Sequence, residues 1–227
     1  MKILVTAGPT REPIDPVRFI SNRSSGRMGY ALAAAAKARG HEVVLVSGPV
    51  SLLPVPGVKV VTVVTAEDMR RAVARQLPPC DALIMAAAVC DWRPARAAKH
   101  KLKKRIGLPR FELRPTPDIL QSIRPLKGDR LVIGFAAETD RLVAEARRKL
   151  KEKNLDLIVA NDVSRADSGF ETDTNRVVMI APDYALALPL MSKRAVAERI
   201  VRWLESRSAS SVSRTGNKKI KKSADKR

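Results

Sequence analysis

Three consecutive stretches decide the fold: KILVTA (2–7), GPTREPIDPVRFISNRSSG (8–26) and MGYALAAAAKAR (28–39). A short β-branched run feeds a loop of small, hydroxyl and glycine residues, and the loop feeds an alanine-rich amphipathic helix. Gly40 follows, where a left-handed residue closes a helix. EVVLVS (42–47) then supplies a second strand. A strand, a helix and another strand in this order read as one turn of a parallel sheet wrapped by helices.

The same alternation continues along the chain. Further strands are expected at 58–64, 82–87, 131–136 and 155–160, and helices at 66–77, 117–124 and 140–154. Thr65 and Thr139 are expected to cap the helices that follow them. The fold class is α/β, a Rossmann-like, doubly wound, mostly parallel sheet. Ligands in such sheets bind beyond the carboxyl ends of the strands, so the loops after Ala7, Ser47, Ala87, Ala136 and Ala160 matter most. Residues 91–116 break the pattern as a basic, proline-punctuated insertion. The expectation there is a flap or hairpin with two extended pieces around Gly107-Leu108-Pro109. Residues 176–180 and 185–190 read as a closing hairpin before a last helix at 192–205. Residues 1–206 are taken as one domain and 207–227 as a disordered basic tail.

Composition narrows the function. No apolar run is long enough to span a membrane. The chain opens directly into a strand without a signal pattern, so a cytoplasmic location is expected. Cys80 and Cys90 have no metal-ligand spacing and read as free thiols. Only His41 and His100 are available, which argues against a histidine-rich zinc site or a Ser-His-Asp triad. His41 itself reads as an exposed turn residue. The net charge is +20, about a third of it in the tail, where contact with nucleic acid would be non-specific.

Several loops carry chemistry. The glycines and hydroxyls of 8–29 suit an anion at a helix start, or simply a surface connection. They match neither common phosphate-loop pattern. The second strand ends at Ser47 without the acidic residue that a dinucleotide enzyme uses on ribose. Neither tyrosine has a lysine four residues on, which weakens an NAD(P)-dependent oxidoreductase, the alternative reading. Ala86-Ala87-Ala88 leaves room for backbone contacts with a ligand, and Asp91 offers a carboxylate for a substrate hydroxyl or a metal-bound phosphate, unless it merely caps a turn. The cationic run 99–105 is expected to be a polyphosphate clamp, with Lys101 and Lys103 on one face of a strand. Phe135 could stack on a base or belong to the core. Lys149 lies four residues beyond Glu145, so its plain reading is an intrahelical ion pair. Asn161 and Asp162 close the sixth strand, where a ligand would lie.

Together TAGPTREPIDPVRFISNRSSGRMG (6–29), VSGPV (46–50), AAAVCDW (86–92), KLKK (101–104), GFAAET (134–139), A-x-x-K-L-x-x-K (146–153) and ANDVS (160–164) resemble phosphopantothenoylcysteine synthetases. The resemblance covers about residues 1 to 205, and in many bacteria that activity resembles the second half of a fused bifunctional protein. It implies ligation of 4'-phosphopantothenate to cysteine in coenzyme A biosynthesis, using CTP (or ATP) with Mg2+ and no protein-held metal. It further implies a homodimer, with a separate decarboxylase as a possible partner. Gly8, Ser24, Gly26 and Gly29 would then line the triphosphate, with Phe135 and Asn161 near the nucleotide. Ala87, Ala88 and Asp91 would hold the pantothenate arm, and Ala87 and Asp91 would also meet the nucleotide. Asn22 would contact the activated acyl group, and Arg18 would reach the substrate phosphate across the dimer. Lys101 would stabilise charge during activation, and Lys149 and Lys153 would bind nucleotide phosphates. Cys90, where the family usually has alanine or serine, and Arg27, where it often has lysine, are the departures.

Overall fold

The computed structural model describes residues 1–104, 110–138, 141–162 and 172–224, with side chains omitted for 138, 162 and 210–224. An eight-stranded sheet forms its centre. In chain order its strands are β1 (Lys2–Ala7), β4 (Glu42–Ser47), β5 (Lys59–Thr62), β6 (Ala82–Met85), β9 (Leu131–Glu138), β10 (Leu157–Asp162), β12 (Val177–Ile180) and β13 (Ala185–Ala187). Across the sheet the order is β13-β12-β10-β9-β6-β1-β4-β5. Every pairing from β5 to β10 is parallel, and the last two strands run antiparallel. Strand order therefore reverses at β1, the point where a doubly wound sheet opens a crevice.

β1, β4 and β6 are apolar almost throughout because helices cover both faces of the sheet. One face packs against α1 (Arg27–Ala38) and α5 (Lys193–Ala224), through Leu32, Ala33, Val196, Ile200 and Leu204. The other packs against α2 (Ala66–Gln76), α3 (Ile119–Ser122) and α4 (Leu142–Glu152), through Met69, Val73, Ile119 and Leu150. Thr65 caps α2 as expected, in a reciprocal capping box with Asp68. Gly40, at φ 81°, ends α1. Thr139 lies outside the described residues.

Several sequence-drawn elements change. The helix expected at 117–124 is one short turn, Ile119–Ser122, then a 3-10 turn at Arg124–Leu126, because Pro125 interrupts it. The last helix runs past Glu205 to Ala224, and among its residues with described side chains the last buried one is Leu204. His41 is not exposed. Its side chain is 10% accessible and meets Glu205 at 3.0 Å, tying the end of α1 to α5.

Three small ribbons escaped the sequence reading in whole or part. β2 (Arg11–Pro13) pairs with β3 (Phe19–Ser21), β7 (Trp92–Pro94) with β8 (Leu113–Pro115), and β11 (Thr174–Asn175) with β14 (Met191–Ser192). β7 and β8 form the stem of the expected flap, while the Gly107-Leu108-Pro109 turn lies outside the described residues. Lys101–Lys103 is irregular rather than a strand. The Leu102 N–H donates to Asp15 Oδ2 (3.1 Å), so this backbone is pinned to a turn and not to a ladder.

Asp15 holds that corner together. Its carboxylate is closed to solvent, accepts the Val17 and Arg18 N–H groups at 2.9 Å, and meets the Arg18 guanidinium at 2.5 Å. The Arg18 hydrogen bond, reinforced by these N–H groups against the effect of desolvation, holds the carboxyl far below its usual range. A carboxyl depressed in the native state stabilises fully above the ordinary carboxylate range and loses that contribution as pH falls through its native value. Asp15→Asn should therefore flatten the fall in stability below about pH 4. It should also speed hydrogen exchange at Val17, Arg18 and Leu102. Denaturant titrations across pH and amide exchange would check both.

Candidate active site

The carboxyl ends of β1 and β6 are joined by backbone hydrogen bonds. The Thr10 N–H donates to the Ala88 carbonyl (3.1 Å) and the Ala88 N–H to the Gly8 carbonyl (2.9 Å). Gly8 and Gly26, at φ 75° and 79°, lie where an added Cβ would come within 2.9 and 2.6 Å of Val50 Cγ1. Both sites therefore demand glycine on two counts. Gly29, in the first turn of α1, would place a Cβ 2.5 Å from the Ala7 Cβ, so α1 starts pressed onto β1.

These contacts shape a cavity of about 430 Å³ at the ends of β1, β6, β9 and β10. Of the residues named from sequence, Asn22, Ser24, Gly26, Gly29, Ala87, Ala88, Asp91, Phe135, Lys149 and Asn161 line it. Asn22 Nδ2 donates to the Ala88 carbonyl at 3.0 Å. Beneath it, Cys90 Sγ donates to the Thr10 carbonyl (3.4 Å), and burial raises the thiol above its ordinary pKa. Glu145, the expected partner of Lys149, meets Arg148 at 2.9 Å. Asn161, 7% accessible, keeps its Oδ1 without a hydrogen-bond partner.

A second cavity, about 360 Å³, shares Ala87, Asp91 and Phe135 with the first. Phe135 packs against the core and borders both spaces. Pro117, Ile119 and Leu120 give the second cavity an apolar wall, and Lys153 enters it paired with Asp118 at 2.9 Å. Burial pushes the Asp118 carboxyl up, but Lys153 and the Gln121 N–H outweigh it and leave the carboxyl below its usual range.

Gly8, Lys101 and Arg18 do not line the first cavity. Gly8 supports its floor through Val50 and Ala88. Lys101 is exposed on the flap, and Arg18 is engaged by Asp15 and the Leu102 carbonyl. Arg27, Asn175 and Lys193 line the cavity but were not named as site residues from sequence. Arg27 lies within the recognised stretch 6–29, whereas Asn175 comes from the small β11–β14 ribbon, which has no periodic signal, and Lys193 follows that ribbon as the first residue of α5. Among the described residues, no cluster of three or more His, Cys, Asp or Glu side chains could hold a metal, and Asp91 is the acidic residue of the first cavity.

Fold and site define a doubly wound α/β protein with a crevice at its topological switch point, lined in part by Arg27, Lys149 and Lys193. The chain belongs to the family described as the DNA/pantothenate metabolism flavoprotein C-terminal domain, which matches residues 1–207. It is 47% identical over 201 residues to the coenzyme A biosynthesis bifunctional protein CoaBC of Bacillus subtilis, covering 88% of this chain and 50% of that protein. The Escherichia coli K12 protein of the same name is 46% identical over 205 residues, with 88% and 50% covered. The chain thus spans about half the length of the curated relatives it matches. The crystal structure of a CoaBC C-terminal domain superposes with a TM-score of 0.79 at 43% identity, covering 92% of this chain and 96% of that one. The Streptococcus pneumoniae DNA/pantothenate metabolism flavoprotein gives 0.78 at 25% identity, with 91% and 99% covered.

Removing Lys153 should release Asp118. In Lys153→Met the Asp118 carboxyl should titrate higher than in the parent, because burial then acts with less opposition. A carbon-detected NMR titration of Asp118 would check this, and an unmoved carboxyl would show that the pair is weak in solution.

Proposed function

We propose that the chain is a phosphopantothenate–cysteine ligase acting in coenzyme A biosynthesis. The observation that carries the reading is the crevice itself: a neutral amide, Asn22, held at its edge by Ala88, facing walls that carry Arg27, Lys149 and Lys193. Such a site suits a substrate carboxylate and a polyphosphate together. In the first step a carboxylate oxygen attacks the α-phosphorus of the nucleotide, and pyrophosphate departs with the electrons of the broken P–O bond. In the second the cysteine amine attacks the acyl carbon, loses a proton, and expels the nucleoside monophosphate. Both steps move negative charge, so positioning and fixed cations supply the catalysis.

The two cavities divide the nucleotide. Polyphosphate fits the first, beside the uncapped start of α1 and Lys149, while base and ribose fit the second, between Phe135 and the apolar wall. Magnesium comes with the triphosphate. The oxygen donors of Asp91 and Asn161 suit a hard cation and would meet it through the phosphates. Lys101 acts only when the flap brings it to the crevice. CTP is the expected nucleotide, with ATP the alternative.

A homodimer is part of the reading. Val17, Phe19, Trp92, Phe111 and Leu113 are exposed apolar side chains on or beside the contacting β2–β3 and β7–β8 ribbons. Pairing there would bring Arg18 of one copy to its neighbour's substrate. The location is proposed to be cytoplasmic; no helix among the described residues is long and apolar enough to cross a membrane. A separate decarboxylase is a further possible partner, and stretch 207–227 meets polyanions only non-specifically. The oxidoreductase alternative gains no support, since β4 ends at Ser47, whose Oγ lies 3.3 Å from Tyr30 Oη where an acidic ribose clamp would stand.

Purified protein should release pyrophosphate only when phosphopantothenate and a triphosphate are both present, fastest with CTP among CTP, ATP and GTP. Asn22→Asp should leave that release measurable but cut product formation by about 100-fold or more, since a charge replaces a neutral donor beside the acyl group. Lys101→Gln should suppress release itself. Pyrophosphate release that ignores phosphopantothenate would sink the reading. Sedimentation at micromolar concentration should give a dimer, and Phe19→Glu with Trp92→Glu should give monomers.

A further inference from the structure

The far wall of the first cavity contains an arrangement that the fold does not need. Lys193 is 5% accessible and is the first residue of α5, so a buried ammonium sits at the positive end of a helix dipole. No acidic residue occupies that first turn, nor the first turn of α1. The β11–β14 ladder pairs Asn175 with Met191 and Thr174 with Ser192, and the Lys193 N–H donates to the Asp173 carbonyl at 2.9 Å. Asn175 and Lys193 are thereby fixed on the same wall. Asn175 is 3% accessible, lines the cavity, and leaves Oδ1 without a hydrogen-bond partner.

α1 and α5 pack together and start at this one cavity, which Gly26, Arg27 and Lys193 line. Where α1 ends, Arg39 meets Glu205 of α5 at 2.7 Å, so the two helices run parallel and both positive ends face the same space. Arg27 adds a second cation. Its partner Asp173 (2.6 Å) is 86% accessible at the side chain and belongs to solvent more than to the cavity. Burial, and next the Arg27 charge, lower the Lys193 ammonium from its ordinary value, with Asp173 acting the other way. Two cations, two helix starts and a buried amide with an unpartnered oxygen converge on one cavity, a setting that suits an anion.

We propose that Lys193, Asn175 and Arg27 form a phosphoryl-anion subsite for the terminal phosphates of the nucleotide, the pair that departs as pyrophosphate. This rests on the ligase reading and adds Asn175 and Lys193 from outside the recognised stretches. For the unpartnered amide to serve a phosphate, Asn175 turns its Nδ2 toward it, a flip that the isosteric carboxamide permits. The subsite neutralises charge that appears on the bridging oxygen as the α-phosphorus bond to it breaks.

Inorganic pyrophosphate and tripolyphosphate are the probes, with phosphopantothenate as the phosphomonoester that could compete for the same chemistry. Calorimetry should show pyrophosphate binding to the full chain, weakened about tenfold or more in Lys193→Met, while phosphopantothenate binding shifts by less than about threefold. Asn175→Asp should weaken pyrophosphate binding too. Parent-like pyrophosphate binding in both variants, or a loss confined to phosphopantothenate, overturns the subsite. If the parent binds pyrophosphate through Lys193 but forms no product from phosphopantothenate and cysteine, the ligase reading fails and the subsite stands. If ligation proceeds and neither variant alters pyrophosphate binding, the subsite fails alone.

Discussion

One carbonyl governs the crevice. The Ala88 oxygen accepts both the Thr10 N–H and Asn22 Nδ2, at 3.1 and 3.0 Å, which uses the two lone pairs a carbonyl offers. The first bond locks the loop after β1 to the loop after β6. The second hangs the edge of the cavity from that lock. Around it, the Cys90 N–H donates to Thr10 Oγ1 (2.9 Å) and the Ala87 N–H to Thr6 Oγ1 (3.1 Å), so side chains of β1 and its loop serve backbone on the other side. A register shift between β1 and β6 would break all four contacts. The position of Asn22 is therefore a property of the sheet.

The second constraint is how α1 and α5 are tied. Arg39 and His41 both meet Glu205 where the helices close, and Arg27 meets Asp173 where they open. Between these ends the contact is apolar, through Leu32, Ala36, Val196 and Ile200. The ion pairs are partly exposed, and such pairs contribute little each, so the apolar stripe supplies the stability and the charges fix alignment. Fixed alignment is what lets two helix dipoles act on one space.

The sheet was legible because its strands are buried on both faces and so read as continuous β-branched runs, with capping signals such as Thr65 and Gly40 between them. The loops of the crevice were legible through Gly8, Gly26 and Ala86–Ala88, whose small size follows from backbone crowding. The β2–β3 and β11–β14 ribbons were not, because two or three paired residues carry no period. Asn175 and Lys193 were missed for the same reason. Their meaning comes from burial, and a lysine opening a helix pattern looks like any solvated one. His41 was misread because its partner lies 164 residues away in Glu205.

Rossmann-like sheets commonly lay a dinucleotide from the first βα turn toward the second strand, where an acidic residue takes the ribose. Here that direction is closed. Val50, in the loop after β4, sits where any side chain at Gly8 or Gly26 would be, and Ser47 and Tyr30 face each other at the strand end. No residue of the loop after β4 lines the first cavity, whereas β9 and β10 contribute Phe135 and Asn161. The crevice therefore runs from the glycine loop across β6 to β10, the opposite way from the dinucleotide path. One end of the crevice meets the starts of α1 and α5, and the other lies beside Phe135. The route is set by one valine filling the space that two glycines leave.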